Sequence, residues 1–560
     1  ILDWLNVAGR VRIDNTHSEY EGKLYASSSN TLTDGSSQGH YTVNNGQYSQ
    51  TYADVLVNIN KRIQDFTIVA NIGASYSGVT SKELGYAGPI RETGIPNLFN
   101  VYDLDNAKKR ATQVGWREAT ESIFASAEVG WKSMLYLTVT GRNDWASQLT
   151  HSPQASFFYP SVGLSAVITE MLKLPDWVDY LKVRGSFSSV GNPYPRFLTY
   201  PTYSYDANKQ DWKSQTNYPI GKLYPERTDS WEVGLDATLF KDFKLSGSFY
   251  YANTYNQTFD PRLPVSSGYD KLYVQTGYVR NYGFEAMLSY GHRWGDFGWD
   301  SSFTFSANKN EIVELVKDYV HPETGKTYNV DKLELKTDEG RGFGKAKFIL
   351  KEGGTLGDLY THADLKRDIN GNILIDDSGN VTAIDNAGDI KLGSVLPKAN
   401  LAWNNSFSYK GINAGFLLTA RLGGIVYSAT QAYLDLYGVS ETSAAARDAG
   451  GVWINGRSRV NPQSFYEVVA SQSGLPTYYT YSATNLRLQE AHIGYTVPRR
   501  WLGNVCDINV SLVGRNLWMI YCKAPFDPEA VATTNNYYQG IDYFMMPSTR
   551  NIGFNIKINF

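Results

Sequence analysis

Cysteine is nearly absent. Cys506 and Cys522 are the two thiols in 560 residues, too few for a disulfide framework or a cysteine zinc site. Cys506 falls on the apolar side of a strand-like run and reads as a free buried thiol. The net charge is only -3, with no basic tract, which removes the electrostatic footprint of a nucleic-acid binder. No stretch approaches the ~20 consecutive apolar residues of a membrane helix. A signal peptide is missing too: Ile1-Leu2-Asp3-Trp4 opens directly into a strand-like run. The expectation is a chain that begins inside a longer protein. Histidine is scarce, and His17, His40, His151, His292, His321, His362 and His492 show neither helical i, i+4 spacing nor a metal-like cluster. With no nucleophile elbow or phosphate-binding loop in a strand–turn–helix context, the chain is expected to be neither an enzyme nor a cofactor carrier.

What is present is aromatic and polar. The chain holds 41 Tyr, 24 Phe, 13 Trp and 50 Gly, yet its mean hydropathy is -0.36. A β-barrel in a membrane has this texture, because lipid-facing and water-facing residues alternate and cancel in any average. Composition alone equally suits a large secreted all-β protein.

Alternation separates the two. Ile552, Phe554, Ile556, Ile558 and Phe560 alternate with Asn551, Gly553, Asn555, Lys557 and Asn559. Leu135, Leu137 and Val139 alternate with Tyr136, Thr138 and Thr140. By this test there are about 16 strands, near 3–14, 52–62, 66–76, 121–131, 134–144, 156–168, 180–190, 227–240, 243–256, 276–291, 297–308, 399–409, 412–422, 484–497, 505–515 and 549–560. Their connections alternate between short, such as Lys132-Ser133, Lys241-Asp242 and Lys410-Gly411, and long, at 15–51, 77–120, 191–226, 309–398, 423–483 and 516–548. Short periplasmic turns and long extracellular loops are the habit of outer-membrane barrels; a soluble sandwich or propeller has no reason to keep it. The C-terminus then lies on the short-turn, periplasmic side. Rings near strand ends, such as Trp131, Trp145, Trp294, Trp299 and Trp518, suit an interfacial girdle. An open sheet cannot sit in lipid with unpaired edges. Either the wall closes at about 16 strands, as a passive porin would, or further strands precede Ile1.

Several stretches carry a resemblance. Gly141-Arg142-Asn143-Asp144-Trp145 precedes Tyr159-Pro160-Ser161-Val162-Gly163 and Leu181-Lys182-Val183-Arg184-Gly185-Ser186. Pro225-Glu226-Arg227-Thr228, Asn281-Tyr282-Gly283-Phe284-Glu285, Leu486-Arg487-Leu488, Gly514-Arg515-Asn516-Leu517 and Phe526-Asp527-Pro528-Glu529 follow in order. Each fragment is weak alone; the ordered series over residues 140–560 resembles the SusC/RagA family of TonB-dependent outer-membrane transporters. The resemblance implies a multi-pass outer-membrane barrel of about 22 strands around a plug. This chain would supply the C-terminal part of its wall over residues 1–560, with the plug and the TonB-contacting segment absent. It further implies a SusD-like surface lipoprotein as partner and TonB-driven import of oligosaccharides or oligopeptides. A receptor for a small chelate, such as a siderophore or cobalamin, is the alternative within TonB-dependent transport.

Candidate site residues follow. Tyr433, Tyr437, Trp453, Tyr478 and Tyr479 lie in the long connection 423–483, where flat amphipathic rings could stack on sugars or pack peptide side chains. The same rings could pack the loop against itself or a partner. Ser443 to Ala449 reads as a short helix and a partner-docking element. Asp368, Asn370, Asn372 and Asp376 resemble a degenerate calcium loop, but Gly379 stands where a bidentate Glu is needed, so an ordinary turn-rich loop is the better reading. Phe554, Ile556, Ile558 and Phe560 are read as the lipid-facing row of the last, barrel-assembly strand.

Overall fold

The computed structural model describes residues 2–198, 203–206, 211–213, 217–218, 223–259, 271–320, 325–335, 342–533 and 539–559. Phe560 and His321 lie outside them. Sixteen strands form one antiparallel sheet in which the hydrogen-bonding order is the chain order. They are β1 (Leu5–Leu24), β2 (His40–Ile63), β3 (Phe66–Pro89), β4 (Arg110–Trp131), β5 (Leu135–Ala146), β6 (Ser156–Val167), β7 (Val178–Asn192) and β8 (Glu226–Leu239). The series continues with β9 (Phe243–Phe259), β10 (Val274–Trp294), β11 (Phe297–Glu314), β12 (Ala399–Tyr409), β13 (Ile412–Leu422), β14 (Asn485–Val497), β15 (Asp507–Cys522) and β16 (Asn551–Asn559). No helix among the described residues is long and apolar enough to cross a membrane.

Tight turns impose the meander. Lys132 and Ser133, Phe240 and Lys241, and Lys410 and Gly411 all take positive φ, the backbone that lets a two-residue hairpin follow the right-handed strand twist. These turns share one end of the strands, and every long connection leaves from the other.

Two connections differ most from the sequence reading, with shorter strand extensions to Glu314 and Cys522 inside loops 309–398 and 516–548. Residues 15–24, 40–51, 77–89 and 110–120, read above as parts of loops 15–51 and 77–120, are strand. The ladder there is unbroken, with Ser18 opposite Gly46 and Gln47 opposite Lys82. Beyond the bilayer both faces of a strand meet water, so alternation fades while backbone pairing continues.

The chain divides into two compact units. The first comprises residues 1–164, 187–229 and 258–275. Its wall carries side-by-side apolar residues such as Ile68, Val129 and Leu137. A small core of Leu149, Tyr194, Leu198 and Leu223 from its connections packs with Phe157 at the start of β6. The second unit holds residues 165–186, 230–257 and 276–560. Across it Leu288, Phe303, Trp403 and Leu418 are paired neighbours, as are Ile493, Leu512 and Phe554. Partners in register share a face, so these form continuous apolar rows. Their side chains are open to the surroundings: Phe554 is 78% exposed, and Ile556 and Ile558 are also exposed. A soluble monomer rarely bares so large a patch; lipid accounts for it. Two indoles on this face are tied up locally, Trp299 Nε1 donating to Asn405 Oδ1 (3.1 Å) and Trp403 Nε1 to Ser301 (3.0 Å), while the buried Asn405 Nδ2 has no partner.

The main buried core lies in the connections 315–398 and 423–484, reinforced by Ile541. It includes Phe348, Leu359, Val395, Tyr427, Phe465, Val469 and Leu475, and we call this region the loop domain.

Candidate functional site

The face opposite the apolar rows is polar, and register alone builds a site on it. Glu285 on β10 pairs with Ser306, Ser306 with Asn400, Asn400 with Arg421, and Arg421 with Asn485. The next row down runs Met287, Thr304, Ala402, Thr419 and Arg487. Glu285, Ser306, Asn400 and Arg421 each stand nine residues from the short-turn end of their strands. At ~3.4 Å per residue and a tilt of ~40° that is about 23 Å above the turns, near the upper edge of a ~25 Å apolar band. A cavity of about 730 Å³ opens here, lined among others by Arg184, Glu285, Asn400, Arg421, Gln489 and Glu529.

The charges differ in how they are engaged. Arg184 donates to Asp236 (2.7 Å), whose other oxygen accepts from Ser246 (2.6 Å). Arg487, with a side chain only 6% exposed, contacts Asp527 at 2.8 and 3.2 Å and Glu529 at 3.0 Å. Ser548 also donates to Asp527 (2.6 Å). Burial opposes ionisation of Asp527, but the guanidinium and the Ser548 hydroxyl outweigh it and hold the carboxyl below its ordinary range. This cluster pins the connection 523–550 to the wall. The sequence reading singled out both Leu486-Arg487-Leu488 and Phe526-Asp527-Pro528-Glu529 without seeing that they meet. Arg421 makes one hydrogen bond, from Nη2 to the Val395 carbonyl (2.7 Å), and its buried Nε has no partner.

Above the row stands the loop domain. Its helices are α1 (Ala429–Leu436), α2 (Glu441–Asp448) and α3 (Pro462–Val469). Each starts on a side-chain cap: Ser428 accepts from Gln431 N, Ser440 from Ser443 N, and Asn461 from Gln463 N and Ser464 N, satisfying otherwise orphaned amides. Pro462 adds a preset φ at the first helical position. α2 matches the short helix expected at 443–449, starting slightly earlier. Ser428 also donates to Asp542 (2.5 Å), fastening the 541–546 segment beside α1.

The five aromatic candidates separate here. Tyr479 is 2% exposed and donates to Asp435 Oδ2 at 3.0 Å; burial pushes its phenol well up. It is a core residue, and its reading as a solute contact is withdrawn. Tyr478 is half-buried, edge-on to Phe465. Trp453 is exposed, with the Arg459 guanidinium 4.4 Å from its ring centroid, and Tyr437 is 74% exposed. Tyr433 enters a cluster the sequence did not reveal, with Phe544 at 5.3 Å and Tyr543 at 6.4 Å, Tyr543 reaching Phe343 at 4.4 Å. The run Tyr543-Phe544-Met545-Met546, bounded by Gly540 and Pro547, was the available signal.

Asp368 Oδ1 accepts from Asn370 N (2.9 Å) and Asn372 N (2.8 Å), and Asn372 Nδ2 donates to Oδ2 (3.0 Å). Asp376 does the same for Ser378 N and Asn380 N. These are successive Asx-type turns, with each carboxylate engaged by its own loop. No group of three His, Cys, Asp or Glu side chains suited to a metal ion occurs among the described residues.

Comparison with known proteins fits this geometry. A family model described as "TonB dependent receptor-like, beta-barrel" matches residues 2–517. The TonB-dependent receptor P3 of Formosa agariphila is 24% identical over 524 residues, covering 87% of this chain and 50% of its own. The TonB-dependent receptor SusC of Bacteroides thetaiotaomicron is 24% identical over 433 residues, 71% of this chain and 40% of its own. A solved RagAB peptide transporter structure superposes with a TM-score of 0.75 at 17% identity, covering all of this chain and 60% of that one. The chain thus spans about half the length or less of these curated relatives. With an apolar outer face, a polar inner row and a family match over nearly its whole length, the chain belongs to the TonB-dependent receptor β-barrel family, a family of outer-membrane transport proteins and not of enzymes.

Proposed function

We propose that the chain forms the C-terminal part of the wall of a larger barrel that actively imports oligosaccharides or oligopeptides across the outer membrane, with TonB supplying the energy. The observation that carries this reading is the pairing of a lipid-facing apolar sheet face with a hydrogen-bonding inner face, Glu285 through Asn485. The cavity over that row, about 730 Å³, suits an oligomeric solute rather than a single ion. Further strands and a plug complete the wall. Support for added strands comes from β1 and β16, the two ends of the strand order, each hydrogen-bonded to one neighbour in the described sheet, since an unpaired edge is untenable in lipid.

In this reading the long-connection end faces the outside, and the loop domain stands there with the exposed Tyr437, Trp453 and Phe544. A SusD-like surface lipoprotein docks over it, and solute passes between the two. Uptake by cells carrying the full-length transporter tests this. Labelled oligosaccharides and oligopeptides should accumulate only when TonB is present, and a SusD-like lipoprotein should co-purify. Uptake that persists without TonB would refute active import.

A further inference from the structure

The inner row distinguishes its two free charges by position, and this inference, which rests on the import reading, concerns what they select. Among the described residues neither Glu285 nor Arg421 forms an ion pair, whereas Arg184 and Arg487 are both engaged by carboxylates. Arg421 holds its guanidinium with a single backbone contact and a buried Nε left over, and the carboxylate that acts on it through space, Glu529, is already paired with Arg487. Between Glu285 and Arg421 lie Ser306 and Asn400, one residue on each intervening strand. Anion, hydroxyl, amide and cation therefore stand in one line across four strands.

Three strand-to-strand steps of ~4.8 Å separate the outer two backbones by about 14 Å. An extended chain rises ~3.4 Å per residue, so about three or four residues would reach from one charge to the other. We propose that this row binds a short peptide lengthwise, its terminal carboxylate on Arg421 and its terminal ammonium on Glu285, with Ser306 and Asn400 meeting peptide amides between them. A neutral glycan fits the row less well. It would cover two unpaired charges without answering either, which costs free energy. Rings are poorly placed for stacking on the row: Tyr250, on the same face, has its hydroxyl engaged by Asn308 and lies outside the cavity lining, and Phe305, the aromatic residue that lines the cavity, is in register with Leu401 and belongs to the opposite face.

The test uses the full-length transporter in the outer membrane with its partner, and tetrapeptides that are free, N-acetylated or C-amidated. In the unaltered protein each block should lower energy-dependent uptake about tenfold or more, the worth of a charge-assisted hydrogen bond. Arg421→Gln should abolish discrimination against the amide while keeping it against the acetyl group, and Glu285→Gln should do the reverse. Energy-dependent peptide uptake indifferent to both blocks overturns this assignment and leaves the import reading standing. Preferential uptake of neutral oligosaccharides also overturns it. Loss of TonB dependence for every solute defeats the import reading itself. Because the blocked peptides act on the unaltered protein, the outcome does not hang on whether either variant folds.

Discussion

Replacing Arg487 with methionine should release the connection 523–550 from the wall. The side chains of Arg487 and Asp527 are 6% and 10% exposed, and removing one partner of a buried pair costs about 3–5 kcal/mol because the other charge is left stranded. Glu529 is 41% exposed and adds little through a screened contact. At 1.4 kcal/mol per factor of ten, the released state should be populated about a hundredfold more, rising to a few thousandfold if Asp527 finds no water. Lys523 and Arg550 bracket the segment and are both exposed, so trypsin reports its opening. When opening is fast, cleavage tracks the open fraction. Arg487→Met in the full-length, membrane-embedded protein should therefore be nicked about a hundredfold faster at low protease, with β-barrel gel mobility unchanged. The double variant Arg487→Met with Asp527→Leu should recover much of the resistance, since neither charge then remains. A single variant cleaved at the unaltered rate would refute the account of these contacts as a latch.

Three other outcomes follow from the same geometry. Asp527 has a carboxyl held below its ordinary range, so its contribution is complete above the unfolded value near 3.9 and lost as pH falls through the lower folded value; tryptic resistance of 523–550 should be level from pH 7 to 5 and fall only below about pH 4. Tyr479→Phe removes the hydrogen bond to Asp435, which keeps Ser440 and Gln431, and should cost about 1 kcal/mol, whereas Tyr479→Ala opens a cavity worth about 3–5 kcal/mol; urea-dependent proteolysis of the loop domain separates them. Ile556→Arg, on the lipid-facing row of β16, should destabilise folding into vesicles by up to about 2–4 kcal/mol, while Asn555→Arg next to it should change little; equal effects would contradict the assigned faces.

The wall was legible in the sequence because its chemistry is local. In β16 the alternation from Asn551 to Asn559 decides both strand and face. Local signal fails where lipid ends, which is why 15–24 and 40–51, polar on both sides, read as loop while Ser18 and Gly46 are in fact paired. The site was less legible for a different reason. Arg487 and Asp527 are 40 residues apart, and Tyr433 and Phe544 more than a hundred; nothing in either neighbourhood announces the other. Tyr478 and Tyr479 are adjacent and chemically identical, yet one is half-buried and the other has its hydroxyl spent on Asp435. Only the tertiary path of the connection tells them apart.

The loop domain draws its interior from separate pieces of chain: Phe348 and Leu359 before β12, Tyr427 and Phe465 between β13 and β14, and Ile541 after β15. Those pieces are separated in sequence by the intervening hairpins. Closing those long loops costs least once the hairpins between them are formed, so the vestibule is expected to acquire its solid interior after the staves beneath it. A stalled insertion intermediate would present Tyr427, Phe465 and Ile541 as a bare greasy surface, a mark by which periplasmic proteases could tell an abandoned precursor from a finished one.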